Sequence, residues 1–195
     1  LEKIKQVVEA RPGEIMFGLN LVVHKGKTIF VGDTSVHEYP NAEQLSEIAI
    51  SSARVVRLFG FDPKVAFVSH STFGQPLTSR TKHIKEAVEI LKKKNVNFEF
   101  DGDMQPDVAL NDEYKSLYPF SKIVGNANIL VMPGQHSAAI SYKMMKTLGD
   151  TKVIGPLLIG LGLPIEIAPL RSSTSEILNL ASIAAYSADV IDYSK

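Results

Sequence analysis

The chain has 195 residues, with 21 Lys and Arg against 21 Asp and Glu, and no cysteine. A formal net charge of zero without a basic stripe sets aside nucleic-acid binding. The missing cysteine excludes a disulfide framework, a thiolate metal site and a Cys nucleophile.

Hydrophobic residues make up 45% and charged residues 22%, the balance of a folded globular chain rather than a disordered one. No apolar run reaches the ~18–20 residues that span a bilayer, and LEKIKQVVEARPGE has no signal-peptide core. A cytoplasmic protein that does not engage the membrane is expected. The length allows one sizeable domain or one domain with part of another, and the non-Met start suggests a piece of something longer.

In chain order, residues 2–9 predict a short helix stopped by Arg11-Pro12-Gly13. The run Met16–Val23, the turn His24-Lys25-Gly26-Lys27 and the run Thr28–Val31 predict a β-hairpin. Asn41, with Gln44 three residues on, predicts a capping box. The helix it opens carries Leu45, Ile48, Ala49, Val55, Val56 and Phe59 on one face and closes near Gly60. Val65–Val68 predicts a buried strand. Ser79–Lys94 predicts a helix with Ile84, Val88 and Leu91 inside and Lys92-Lys93-Lys94 at the negative end of its dipole.

Asn97–Phe100 and Ile129–Met132 predict two further strands. Between them, Asp101–Asp107 reads as a turn into a short helix rather than a calcium loop, which needs a longer ligand series and a terminal Glu. The helix Ser137–Leu148 is expected to turn Ile140, Met144 and Leu148 inward. Gly155–Pro164 reads as a loop, Ile165–Ile167 as a short strand, and Thr174 to about Ser187 as the last helix. Short apolar strands alternating with amphipathic helices predict a mainly parallel sheet with helices on both faces. Ligands in such sheets lie beyond the carboxyl ends of the strands. That singles out the loops Ser69–Thr78, Asp101–Asp107, Pro133–Ser137 and Ala168–Ser173.

The loop Ser69-His70-Ser71-Thr72-Phe73-Gly74 has two readings. Its hydroxyls and glycine suit an anion held at a helix N-terminus, with Arg80 adding charge; the same residues suit an ordinary capped turn. The five histidines show neither H-x-x-x-H nor H-E-x-x-H spacing, so no metal is expected. His70 and His136 lie in strand-exit loops and are the two ligand candidates among them. Neither G-x-G-x-x-G, nor G-x-x-x-x-G-K-[ST], nor G-x-S-x-G occurs.

Taken together, the strings are more specific than any single motif. Asp33, Pro40-Asn41-Ala42-Glu43-Gln44-Leu45-Ser46-Glu47-Ile48-Ala49 and Lys64-Val65-Ala66-Phe67-Val68-Ser69-His70-Ser71 come first. Asp101-Gly102-Asp103-Met104-Gln105, Ala127-Asn128-Ile129-Leu130-Val131-Met132-Pro133, Tyr142-Lys143 and Gly155-Pro156-Leu157-Leu158-Ile159-Gly160-Leu161 follow. In this order they resemble the phosphate acetyl/butyryl-transferase family over nearly the whole chain. The loop Ser69–Gly74 most resembles the form found at the C-terminal end of bacterial NADP-dependent hybrid malic enzymes.

The resemblance implies a three-layer α/β/α fold of the isocitrate/isopropylmalate dehydrogenase-like kind, with an N-terminal β-hairpin. It implies an inserted subdomain over residues 14–154, flanked by remnants of another subdomain at 1–13 and 155–195. It implies an acyl-CoA or phosphate ligand held by Ser69, Ser71, Thr72, Gly74, Arg80, Gln105, His136, Ser137, Tyr142, Lys143 and Arg171. A homo-oligomer, expected to be a dimer, is implied, with acetyl-CoA as effector. NADP and Mg or Mn would belong to the longer parent protein, with no cofactor in this chain.

Active members of the family carry Leu-Ser-Arg-Gly near the last helix, with an Asp six residues after the Arg. Ungapped alignment puts Pro169 at the Ser, Leu170 at the Arg and Glu176 at the Asp, with Arg171 one place off register. Pro has no hydroxyl to donate and Leu cannot hold an oxyanion; losing one such donor costs ~10²–10³ in rate. Glu176 also closes a capping box, Ser173-Thr174-Ser175-Glu176. A non-catalytic sensing domain is therefore expected, with an active acyltransferase using Arg171 and Glu176, or a pure assembly module, as alternatives.

Overall fold

Six strands form one sheet in the order β4-β3-β5-β2-β1-β6. A computed structural model describes residues 2–74 and 78–191, without the side chains of Glu2, Lys5 and Arg80. The strands are β1 (Phe17–His24), β2 (Lys27–Gly32), β3 (Lys64–Val68), β4 (Glu99–Met104), β5 (Ile129–Val131) and β6 (Thr151–Ile159). The hairpin β1–β2 is antiparallel, as is β1–β6, whereas β2–β5, β5–β3 and β3–β4 are parallel. Five strands thus share one direction and β1 alone opposes them.

The helices are α1 (Glu2–Lys5), α2 (Ala42–Leu58), α3 (Ser79–Lys94), α4 (Pro106–Leu110), α5 (Asp112–Lys115), α6 (Gln135–Leu148) and α7 (Thr174–Val190). Alternation along the strands divides the core into two layers. Phe17, Leu19, Phe30, Val65, Phe67 and Leu157 face α2, α3 and Leu180 of α7. Val22, Val31, Ala66, Val68, Leu130 and Val153 face α4 and α6 on the other side. This is the expected three-layer arrangement.

Local chemistry explains the long helices. Asn41 and Gln44 cap each other reciprocally, both hydrogen bonds measuring 2.9 Å, and the buried stripe Leu45, Ile48, Ala49 and Val56 follows. α3 opens with a box between Thr78 and Thr81 and ends at Asn95 in the left-handed conformation, its last turn carrying Lys92, Lys93 and Lys94. The cations complement the dipole as expected.

Several expectations change. The first helix is one turn, Glu2–Lys5, rather than reaching residue 9. The fourth strand is Glu99–Met104, beginning and ending later than Asn97–Phe100. Gly155–Ile159 is strand rather than loop: Gly155 and Pro156 sit opposite Asn20, where the β1–β6 register shifts. A bulge is where a sheet tolerates Gly and Pro. Ile165–Ile167 makes only an isolated bridge, Leu157 to Glu166.

In α6 the expected inner face is wrong. Ile140, Met144 and Leu148 are exposed; Ala138 is buried, and Tyr142 and Met145 pack partly against the core. Both stripes keep helical spacing. The small Ala138 allows close approach to the sheet, and that decides which stripe turns inward. Among the described residues, no helix is long and apolar enough to cross a membrane.

Candidate functional site

The expected ligand residues separate into three places. The first is the exit of β3 and β4. Ser69 and Ser71 are buried, and Ser71 donates its hydroxyl to Asp103 Oδ2. Thr72 Oγ1 accepts the Gln105 backbone N–H at 3.1 Å, while Gln105 Nε2 donates to the His70 carbonyl at 2.8 Å. The Phe73 N–H donates to the Asp103 carbonyl at 2.6 Å. The loop is laced to β4, so much of its donor capacity is already used internally. Gly74 has φ +100°, and a Cβ there would overlap the Lys85 ammonium. The Arg80 side chain lies outside the described residues, as do residues 75–77.

The second place is the start of α6. Ser137 Oγ donates to the Gly134 carbonyl at 2.8 Å. His136 is exposed, with Nε2 3.5 Å from Glu38 Oε1. His70, the other histidine candidate, is also exposed.

The third place is a cleft of about 210 Å³ at the β6 edge of the sheet. There α6 overhangs from one face and α7 from the other. The structure brings Tyr142, Lys143, Pro169, Arg171 and Glu176 together here, with Gly155, Pro156 and Leu180 lining the wall. The Lys143 ammonium stands 5.9 Å from the Tyr142 ring centroid. Leu170 points fully into solvent. The turn before α7 is closed by the Ser172 N–H on the Pro169 carbonyl at 2.9 Å, which presents Arg171 to the cleft.

Sequence reasoning missed Lys146, which also lines this cleft. Its spacing from Tyr142 and Lys143, four and three residues along a helix, is the signal that would have found it. Lys146 Nζ donates to Glu176 Oε1 at 2.8 Å. Glu176 Oε2 accepts from the Ser173 N–H at 2.7 Å and the Ser173 hydroxyl at 3.0 Å. The expected capping box is therefore present in both halves. The Lys146 hydrogen bond first, then the Ser173 N–H and hydroxyl, hold the Glu176 carboxyl down at about 2. Three cations against one carboxylate leave the charged lining of the cleft net positive.

β3 and β6 are separated by four strand spacings, about 19 Å. The Ser69 loop and the Arg171 cleft therefore cannot share a phosphate-sized ligand; only an extended molecule would touch both.

The roles of two further residues were not read from the sequence. Asp33, fully buried at the end of β2, accepts N–H groups from Gly18, Ser35, Val36 and His37. Under α7, Glu166 lines a cavity with the apolar residues Val55, Leu58, Phe59, Ile183 and Tyr186. Burial pushes its carboxyl up to about 8, against the lowering effect of the Leu158 N–H, which it accepts at 3.2 Å. Among the described residues no group of three or more His, Asp and Glu is placed to hold a metal ion.

Comparison with known proteins matches this architecture. An NADP-dependent malic enzyme of Rhizobium meliloti is 44% identical over 188 residues, which is 96% of this chain and 25% of that protein. A phosphate acetyltransferase of Clostridium acetobutylicum is 33% identical over 193 residues, which is 94% of this chain and 58% of that protein. The chain thus spans a quarter of one relative and somewhat over half of the other. The crystal structure of a phosphotransacetylase from Streptococcus pyogenes superposes with a TM-score of 0.88 at 32% identity, covering 94% of this chain and 57% of that one. The model of the phosphate acetyl/butaryl transferase family matches residues 1–185. With that match across the sheet, its helices and the edge cleft, the chain belongs to the phosphate acetyl/butaryl transferase family.

Proposed function

We propose that the chain is a phosphotransacetylase-like module of an NADP-dependent malic enzyme, a non-catalytic sensor of acetyl-CoA that also assembles subunits. The observation that carries the reading is the cleft itself. It gathers Tyr142, Lys143, Lys146 and Arg171 around a space that suits an anionic ligand, while the positions corresponding to the family's Ser and Arg hold Pro169 and Leu170. A volume of about 210 Å³ falls below the ~300 Å³ of pockets that enclose a whole drug-sized ligand. The cleft therefore receives a phosphate-bearing part of an acyl-CoA while the remainder lies along the surface. The position of the module is C-terminal and its setting cytoplasmic; oxidative decarboxylation of malate to pyruvate, with NADP and Mg or Mn, resides in the remainder of the parent protein. The exposed stripe Ile140, Met144 and Leu148 on α6 supplies apolar surface for a dimer.

Calorimetric titration of the intact protein with acetyl-CoA, beside an assay for acetyl phosphate formation, tests the reading. Binding without transfer is the expected result; robust acetyl phosphate formation overturns it. A second reading has one observation in its favour, that Arg171 enters the cleft although it is one place off register. In that case the protein is an active phosphate acyltransferase and Arg171→Ala abolishes turnover.

A further inference from the structure

The two ends of the Lys146–Glu176 pair belong to different helices on opposite faces of the sheet. Glu176 sits at the third position of α7, and its Oε2 is committed to the Ser173 cap. Its other oxygen reaches across the cleft to Lys146 at 2.8 Å. Lys143 and Arg171, the other two cations of the same cleft, have no carboxylate partner at ion-pair distance among the described residues. The Glu176 carboxylate thus occupies the place that an anionic ligand would take at Lys146. It does so at an exposed site: Lys146 is half exposed and Glu176 about one-third exposed. Such pairs are weak and exchangeable.

We propose that Glu176 is a built-in competitor of the cleft, an internal anion that a multiply charged ligand displaces from Lys146, freeing the start of α7 from α6. The inference rests on the reading of this cleft as an anion site and adds to it a means of coupling. Ligand binding exchanges one ion pair for another. The α7 end, which carries Arg171 three residues before its first helical residue, is then no longer tied to α6. A ligand binding only to Lys143 and Arg171 would leave the tie intact; one reaching Lys146 breaks it.

Glu176→Gln isolates the charge. Gln at the third helical position still completes a capping box with Ser173, so the helix start is kept while the competitor is lost. Inorganic pyrophosphate and acetyl-CoA are titrated by calorimetry against the wild type, Glu176→Gln, Lys146→Met and the double variant. Glu176→Gln is expected to bind pyrophosphate about two- to fivefold more tightly, the equivalent of one exposed ion pair. That gain disappears in the Lys146→Met background, because the competition is for that ammonium. An unchanged or weaker affinity of Glu176→Gln overturns the proposal. So does a gain of the same size without Lys146, which would reflect general repulsion of the ligand, and so does a failure of every variant to bind pyrophosphate. Tighter pyrophosphate binding by Glu176→Gln with no acetyl-CoA binding by any variant sinks the acyl-CoA reading and leaves the competitor standing. Acetyl-CoA binding that is indifferent to residue 176 does the reverse.

Discussion

Asp33 and His37 are joined twice through one carboxylate oxygen: Oδ2 accepts both the His37 backbone N–H and its ring Nδ1–H, each at 2.7 Å. The ring nitrogen is the donor because a carboxylate only accepts. Oδ1 meanwhile takes the N–H groups of Gly18 at 2.9 Å and Ser35 at 2.7 Å. The carboxylate therefore closes the chain reversal between β2 and α2 and ties it back to β1. In Asp33→Asn one side of the group becomes an NH₂ that faces two donors. A loss of about 2–4 kcal/mol is expected, read as a lowered urea midpoint with an unchanged m-value.

Ser71→Ala separates the two readings of the Ser69–Gly74 loop. The Ser71 hydroxyl serves Asp103, which is fully buried and whose Oδ1 has no hydrogen-bond partner among the described residues. Removing the hydroxyl leaves the side chain of a buried carboxylate without its protein donor, at a cost of about 2–3 kcal/mol. Thermal unfolding is expected to move down, while acetyl-CoA affinity measured well below the transition stays within about twofold. A large loss of affinity with unchanged stability would restore the anion-cradle reading.

Glu166 makes stability depend on pH. Its carboxyl is raised from 4.5 to about 8 by burial, so the neutral form is the one that the folded state prefers. The stabilisation is full below about pH 4.5, the unfolded value, and is lost as pH rises through 8. The other charged groups of that cavity, Arg11, Glu14 and Arg54, are salt-bridged among themselves. Glu166→Gln keeps an acceptor for the Leu158 N–H without a charge. Chemical denaturation from pH 5 to 9 is expected to show the variant gaining on the wild type by about 1–3 kcal/mol at the alkaline end.

Gly160 is a position where only glycine fits. It has φ +85°, and a Cβ would overlap the Ile15 carbonyl oxygen. The Gly160 carbonyl also accepts the Arg11 N–H at 2.9 Å, beside the bridge from Ala10 to Leu161. Gly160→Ala therefore opposes both the backbone conformation and the close approach of the N-terminal segment to the end of β6. An expected cost of 3 kcal/mol or more, with early proteolysis before residue 16, would be seen in limited digestion followed by mass spectrometry.

What the sequence held about the fold was mostly local. Asn41 with Gln44, and Ser173 with Glu176, are reciprocal caps whose chemistry is complete within four residues, and both form as read. The hairpin turn at Lys25-Gly26 and the apolar run of β3 are of the same kind. Misreadings came where a local signal had two outcomes. Gly155-Pro156 is as compatible with a loop as with a bulged strand, and only pairing with β1 decides for the strand. Periodicity in α6 identifies a helix but not its inner stripe, and Ile140, Met144 and Leu148 are exposed.

The sequence alone determined the residue types on which a site can be built: no thiol, zero net charge, and a Pro169-Leu170-Arg171 run ahead of the last helix. Tertiary structure decided which of these residues meet. Lys143 and Lys146 lie on a helix covering one face of the sheet, Arg171 and Glu176 at the start of a helix covering the other, and they converge because β6 is an edge strand around which both helices overhang. The buried donors around Asp33 and the desolvation of Glu166 likewise come from segments that fold together from distant parts of the chain. Burial and long-range pairing are properties of the assembled sheet, and no window of sequence contains them.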